Sequence, residues 1–198
     1  MDTDLRAFCE ALSEDLDWLY SKWSEFQELF GDGSRHLDVL NRAAPNFFYL
    51  LQKLLYEDAM LHLCRLTDPA ETRVKGNRAR NLTVQGIAEL ISDTTLKAAL
   101  ASAAEQARGK CEFARLWRDK RLAHTDLVIN RSGWASALPS VAATDIEEAI
   151  DSLFTTLNLI EGYYTRQPVV RKKDPWGAKS LVHYLERGLR AVDKANRE

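Results

Sequence analysis

The seven residues from 118 to 124 combine side chains that could act together on a phosphate. The segment reads Arg-Asp-Lys-Arg-Leu-Ala-His, so it holds three cations, a carboxylate and an imidazole. An arginine can hold phosphate oxygens through two parallel hydrogen bonds, whereas an imidazole gains or loses a proton near neutral pH. This combination of side chains suits a phosphate that must be both bound and protonated. We therefore take Arg118 and His124 as a candidate pair for acid–base chemistry on a phosphate.

A simpler interpretation fits the same seven residues. Lys120 and Arg121 could lie on the solvated face of a helix, with His124 near the last carbonyls, where a cation is favoured. In one continuous helix, Arg118 and His124 are separated by about 120° around the axis. They can converge only if the helix is distorted, or if a second copy of the chain supplies the missing group across a two-fold axis.

Helical periodicity predicts the elements that must position this segment. Apolar residues recur at steps of three and four along most of the chain, which is the spacing of one face of an α-helix. Glycine and proline positions separate the predicted helices. These helices cover residues 5–30, 34–66 with a break near Pro45, 83–91, 94–126, 144–164 and the stretch after Pro175.

The predicted fold is all-α. Strand signals are poor, since only residues 127–129 alternate weakly, with turn-forming residues behind them. We expect an antiparallel helical bundle of four to five main helices with an extra C-terminal helix. Residues 1–165 would form the bundle, and residues 166–198 a hinge and an amphipathic C-terminal helix that docks on the same domain.

Capping residues predict where three helices begin. Ser92 or Asp93 can cap the helix that leads to the 118–124 segment. Thr144 and Glu147 have the spacing of a capping box. Asp174-Pro175 would place a cap and a first-turn proline at the start of the last helix. The face of that helix expected to be buried consists of Leu181, Leu185, Leu189 and Val192.

Two connections between the predicted helices are unusually long. Residues 69–82 and 128–143 each exceed the common loop length of ~4–6 residues. A connection of that length is either mobile or functional. The first of the two is also basic, with cations at Arg73, Lys75, Arg78 and Arg80.

Charge is spread unevenly over a nearly neutral chain. The 198 residues carry a net charge of −2, so no whole-protein field attracts nucleic acid. Residues 1–30 hold eight acidic and two basic side chains, whereas residues 108–121 hold six basic and two acidic ones. This asymmetry is compatible with a basic binding face, although solvated helix surfaces often show it too.

The remaining composition excludes several classes of protein. Three widely spaced cysteines within apolar helical runs favour buried reduced thiols over disulfides or a zinc site. The first residues lack the basic and apolar segments of a signal peptide, and no apolar run approaches the ~20 residues that span a bilayer. Glu-x-x-His pairs and phosphate-binding glycine loops are absent. We therefore expect a soluble cytoplasmic protein with no metal, no cofactor and no membrane contact.

Two pieces of the sequence resemble a known superfamily. The pattern Arg-[Asp/Asn]-x4-His, late in a helical bundle, is similar to the Arg-x4–6-His signature of the HEPN superfamily, with Asp119 as the polar residue after the arginine. An earlier piece, residues 63–69, reads Leu-Cys-Arg-Leu-Thr-Asp-Pro. Together with residues 118–126, it resembles the abortive-infection branch of that superfamily. The resemblance covers residues 1–165.

The resemblance implies a function and a set of roles. Active members of the superfamily cleave RNA without a metal ion, and many are toxins or phage-defence effectors. They dimerise, which brings two motifs into one cleft. Carried over by position, Arg118 and His124 become the catalytic pair, and Asp119 orients them. Nearby cations could hold the flanking RNA backbone; the candidates for this role are Lys120, Arg121, Arg73 and Arg78.

The expected partners are RNA, a second copy of the chain and an antitoxin protein. Some members continue the motif as His-x-Tyr, and the tyrosine is then a target for nucleotide addition by the antitoxin. Asp126 stands at that position here, which puts this form of control in doubt.

Three hypotheses about function remain open at this stage. The first is an RNA-cleaving homodimer that acts as a toxin or defence effector. The second is a non-catalytic HEPN-like module that binds a partner protein or a nucleotide. The third is a regulatory helical protein that binds DNA through its basic segments.

Overall fold

The computed structural model describes residues 3–31, 33–74, 76–122, 141–171 and 177–197, and within these ranges the fold is all-α, as predicted. None of the helices in these ranges is both long and apolar enough to cross a bilayer. The elements are α1 (Thr3–Phe30), α2 (Ser34–Ala43), α3 (Pro45–Thr67), β1 (Glu71–Val74), β2 (Asn77–Arg80), α4 (Val84–Ile87), a 3-10 turn (Ala88–Leu90), α5 (Thr94–Lys110), α6 (Glu112–Trp117), a π-helical segment (Arg118–Leu122), α7 (Ala143–Tyr164) and α8 (Ala178–Ala195).

The chain divides into two compact units. The first consists of residues 1–18 and 60–171, and the second of residues 19–59 and 172–198. The 118–122 segment therefore belongs to the first unit, and α8 belongs to the second. The predicted domain boundary near residue 165 stays a prediction, since compact packing units are not necessarily domains.

The core of the first unit follows the helical periodicity of the sequence. Within residues 3–18, α1 buries Leu5, Cys9, Leu12 and Leu16, at steps of four and three. In the same unit α5 and α7 pack closely together. Their buried residues include Leu96, Leu100, Ala104 and Ala107 of α5, and Ile146, Ile150, Leu153, Phe154 and Leu157 of α7. Burial of each large apolar side chain contributes ~1.5–3 kcal/mol, so this core stabilises the unit that carries Arg118.

Several predicted helix ends are confirmed. The helix that begins near residue 34 breaks directly before Pro45, and α3 ends at Thr67. The carboxylate of Asp93 caps α5, because its Oδ1 accepts a hydrogen bond of 2.7 Å from the backbone N–H of Leu96. This bond satisfies one of the N–H groups that a helix start leaves without an intrahelical partner.

The start of α7 differs from the predicted one. The helix begins at Ala143, and Asp145 Oδ2 accepts a hydrogen bond of 2.8 Å from the backbone N–H of Ala142. The predicted capping box of Thr144 and Glu147 is therefore wrong. Asp145 accepts from the N–H of Ala142, three residues earlier. The sequence therefore contains two overlapping capping patterns.

The start of α8 is stabilised by residues that are distant in sequence. Glu25 Oε2 accepts a hydrogen bond of 2.6 Å from the N–H of Ala178, and Glu28 Oε2 accepts one of 3.1 Å from the N–H of Lys179. Carboxylates at this end of a helix also interact favourably with its dipole. The helix begins at Ala178, and the predicted cap and first-turn proline, Asp174-Pro175, lie outside the described ranges.

The buried face of α8 also differs from the predicted one. Ala178 and Val182 are buried, and Leu185 is partly buried in the same cluster, whereas Leu181 and Val192 are 42% and 56% exposed. The sequence offers two overlapping stripes of apolar residues at helical spacing. Packing against α2 decides which of them is covered, so the prediction for Leu181 and Val192 is wrong.

The basic connection at residues 69–82 contains a β-hairpin that the sequence analysis missed. β1 and β2 pair antiparallel, with Glu71 opposite Arg80 and Arg73 opposite Arg78. Because side chains alternate along a strand, these four side chains share one face. The strands contain too few apolar residues to give the period-two pattern by which strands are recognised.

The three cysteines are free and buried, as predicted. Burial raises the pKa of the Cys9 thiol to about 12, and it also raises that of Cys111 to about 12. Both thiols are therefore protonated at physiological pH.

Candidate functional site

The helix predicted to run from residue 94 to residue 126 is interrupted before it reaches the candidate site. α5 ends at Lys110, the chain turns at Cys111, and α6 follows. A π-helical segment then occupies Arg118–Leu122, and residues 123–126 lie outside the described ranges. The prediction of one continuous helix is wrong. A π-helical turn inside a helical region is rare and is frequently found at functional sites.

Two carboxylates hold the guanidinium group of Arg118. Its Nε donates to Asp119 Oδ1 at 2.9 Å, and its Nη1 donates to Asp68 Oδ1 at 3.1 Å. The Arg118 side chain is 31% exposed. Among the described residues, Nη2 of Arg118 has no hydrogen-bond acceptor. Within the part of the chain that the structure describes, one edge of the Arg118 guanidinium is thus not engaged.

Arg115, one helical turn earlier, holds the residue before Asp68. Its Nη2 donates to the carbonyl oxygen of Thr67 at 2.9 Å and to Thr67 Oγ1 at 2.8 Å, and its Nη1 donates to the carbonyl oxygen of Arg108 at 3.0 Å. The carbonyl of Thr67 lies at the end of α3, where the last carbonyls have no intrahelical partner. Arg115 therefore fixes the end of α3 against α6.

These contacts bring together the two pieces of sequence that carry the resemblance. Thr67 and Asp68 belong to the 63–69 piece, and Arg118 and Asp119 open the 118–126 piece. Arg115 and Arg118 are three residues apart, a spacing that places them on one face of a helix. They contact consecutive residues of the other piece.

A family comparison agrees with this pairing. The model of the HEPN_AbiU2 family, described as AbiU2, matches residues 2–182 and therefore includes both pieces. The chain belongs to this HEPN family. The family is an abortive-infection branch of the HEPN superfamily, as the sequence predicts. Searches of curated proteins and of solved structures gave no match.

The electrostatics around Arg118 keep its side chain charged. The hydrogen bond to Asp119, together with the nearby Asp68 carboxylate, raises the pKa of Arg118 above its ordinary value. Burial raises the pKa of the neighbouring Cys64 thiol to about 11, although Arg118 and Arg115 act in the opposite direction. Cys64 is therefore a neutral thiol at physiological pH, and its position beside two arginines does not make it a thiolate nucleophile.

The predicted site residues are only partly brought together. Asp119 contacts Arg118, and Lys120 follows in the same segment with an exposed side chain. Arg121 is part of the π-helical segment, but its side chain is outside the described set, and His124 lies outside the described ranges altogether.

The two hairpin cations that were predicted to bind RNA lie opposite each other on exposed strands. Arg78 Nη1 is 3.6 Å from Glu71 Oε2. The roles predicted for these two residues stay predictions.

Sequence reasoning missed Asp68 and Arg115 as parts of the site. In the sequence, Asp68 is part of the 63–69 piece that carries the resemblance, and nothing there assigns it a contact with Arg118. Arg115 gave a usable signal, because it lies one turn before Arg118 on the same helix face. The partner of either residue could not be found from spacing, since 50 residues separate Asp68 from Arg118.

Proposed function

We propose that this HEPN chain is a metal-independent endoribonuclease, acting in the cytoplasm as a toxin or phage-defence effector. The observation that supports the proposal is the state of Arg118. Its guanidinium is charged and oriented by two carboxylates, and one edge is available to a phosphate. Such a preorganised donor is suited to charge that develops during phosphate chemistry.

RNA needs little chemical help from a protein of this kind. Its 2′-hydroxyl is the nucleophile, and attack on the adjacent phosphorus gives a cyclic phosphate and a free 5′-hydroxyl. His124 acts as general acid or base, and Arg118 contacts the non-bridging oxygens as their charge increases. Asp119 keeps the Arg118 side chain oriented, through the hydrogen bond from Nε.

Other cations in the chain would hold the RNA on either side of the cut. Phosphate contacts by lysine and arginine supply affinity that does not depend on sequence and that salt weakens. The residues proposed for this role are Lys120, Arg121, Arg73 and Arg78. An antitoxin that covers these side chains would control the activity.

The experiment that tests the proposal uses the purified wild-type chain. We expect it to cut single-stranded RNA in the presence of EDTA and to leave DNA of the same sequence intact, because DNA lacks the 2′-hydroxyl. RNA with 2′-O-methyl groups should also resist cleavage. Products that end in a cyclic phosphate, identified by mass spectrometry, would support 2′-hydroxyl attack. Cleavage of the DNA, or activity that EDTA removes, would contradict the mechanism.

We further propose a homodimer whose interface includes residues 113–126. The resemblance to superfamily members that dimerise supports this pairing, and Leu116 is 41% exposed in this region. Light scattering at micromolar concentration should give twice the chain mass. Leu116→Glu should shift the mass toward one chain, whereas Leu159→Glu, a control at a similarly exposed position of α7, should not. A wild-type monomer would contradict the dimer.

The alternative function is a non-catalytic HEPN-like module that binds a partner protein or a nucleotide. The observation in its favour is that two carboxylates already pair with Arg118 and more than neutralise its single positive charge. In that case the ion pair serves mainly to connect α3 with the 118–122 segment. Lack of cleavage of every RNA tested would favour the module.

A further inference from the structure

We infer that Asp68 is a positioning residue for Arg118, which holds the guanidinium in the orientation that RNA cleavage requires. This inference rests on the proposed function, but it concerns a residue outside the Arg-x4–6-His pattern. Asp68 lies 50 residues before Arg118 in the chain. It contacts Arg118 and not the reacting phosphate.

The geometry at the end of α3 supports this role. Asp68 directly follows the last residue of that helix, and Arg115 fixes the preceding carbonyl and hydroxyl of Thr67 at 2.9 and 2.8 Å. The Arg115 side chain is only 13% exposed, so solvent competes weakly for these bonds. The backbone that presents Asp68 is thus fixed by the same helix face that presents Arg118.

The two carboxylates differ in what they can fix. Asp119 is adjacent to Arg118 in the chain. The hydrogen bond between them therefore moves with the 118–122 segment and sets only the local orientation of the Arg118 side chain. Asp68 belongs to a different element, so its bond from Nη1 sets the position of the guanidinium relative to α3. A guanidinium held at Nε and Nη1 by these two groups leaves Nη2 for the phosphate.

Asp68 has a second, opposing effect on RNA. Its negative charge lies 3.1 Å from the cation that would bind the phosphate, so the carboxylate competes with the anion for Arg118. Removal of Asp68 should therefore strengthen RNA binding while it weakens catalysis. A residue that only stabilises the fold would not separate the two quantities in this way.

The test compares three variants under single-turnover conditions. We expect Asp68→Ala to lower the cleavage rate constant by about 10- to 100-fold, because the Arg118 guanidinium would no longer be held in the geometry that the reaction requires. The Kd for a non-cleavable 2′-O-methyl RNA should fall by about two- to fivefold, as expected for the loss of one partly exposed charge. Asp68→Asn keeps an oxygen acceptor for Nη1, so most of the rate should return while binding stays tight. Asp193→Ala, which removes an exposed aspartate partner of Arg42, is the matched control and should change neither quantity.

Arginine modification tests the contact without any cleavage. Phenylglyoxal labelling of Arg118, followed by peptide mass spectrometry, should be faster in Asp68→Ala than in the wild-type chain or in Asp193→Ala. Unchanged labelling of Arg118 would overturn the inference, and so would equal loss of rate in Asp68→Ala and Asp68→Asn with unchanged Kd. If labelling rises and RNA binds more tightly in Asp68→Ala, but the wild-type chain cuts no RNA, the contact is supported and the endoribonuclease function is rejected.

Discussion

His124→Ala is expected to reduce RNA cleavage by about 10²–10⁴-fold, the usual contribution of a general acid or base. Helix content by circular dichroism and mass by light scattering should stay at wild-type values, because the loss is one of proton transfer. The measurement is the initial rate on a single-stranded RNA in EDTA. The cleavage rate should also depend less on pH in the variant than in the wild-type chain.

The control for this variant is His183→Ala, which removes an exposed histidine of α8. Its cleavage rate should equal that of the wild-type chain. Full activity in His124→Ala would reject the assignment of the general acid or base, whatever the behaviour of the control.

Substitutions of Arg118 and of Arg121 should reduce activity to different extents. Arg118→Ala should reduce cleavage nearly as much as His124→Ala, and Arg118→Lys should recover little, because a lysine cannot reproduce the fork that bonds to both carboxylates and phosphate. Arg121→Ala should reduce cleavage less than Arg118→Ala does. Its effect would come mainly from the loss of one contact with the RNA backbone, which high salt masks. Equal losses for Arg118→Ala and Arg121→Ala would contradict the proposed division of roles.

Leu16→Asp is expected to unfold the first unit or to destabilise it severely. Leu16 is 1% exposed on the apolar stripe of α1, so the substitution removes a buried side chain and places a charge in an apolar core. Loss of a buried leucine alone costs ~2–5 kcal/mol, and an unpaired buried charge adds to this. Total stabilities are commonly ~5–15 kcal/mol. Thermal unfolding by circular dichroism measures the effect.

The matched control is Leu50→Asp, the same change at a leucine of α3 that is 54% exposed. Its unfolding temperature should stay close to the wild-type value, since surface substitutions usually change stability by less than ~0.5 kcal/mol. A Leu16→Asp variant that melts like this control would show that the buried face of α1 is wrongly assigned.

Local patterns in the sequence determined most of the helical stretches and one contact of the candidate site. The stripe of α1, the break at Pro45 and the cap at Asp93 were predictable, because each depends on residues within one or two helical turns. The contact between Arg118 and Asp119 was predictable for the same reason, since the two residues are neighbours. The role of His124 stays a prediction, because that residue lies outside the described ranges.

Only the tertiary structure decided the contacts between distant elements. Asp68 meets Arg118 across 50 residues, and Arg115 meets Thr67 across 48, and no periodicity encodes which helix end faces which helix. The covered face of α8 depended on its packing partner, because its apolar residues allow two stripes. The sequence does not predict the basic hairpin at 71–80, because its strands pair through backbone hydrogen bonds, which every sequence can form. The sequence thus indicated which side chains are candidates for catalysis, and long-range packing determined which groups hold Arg118 in place.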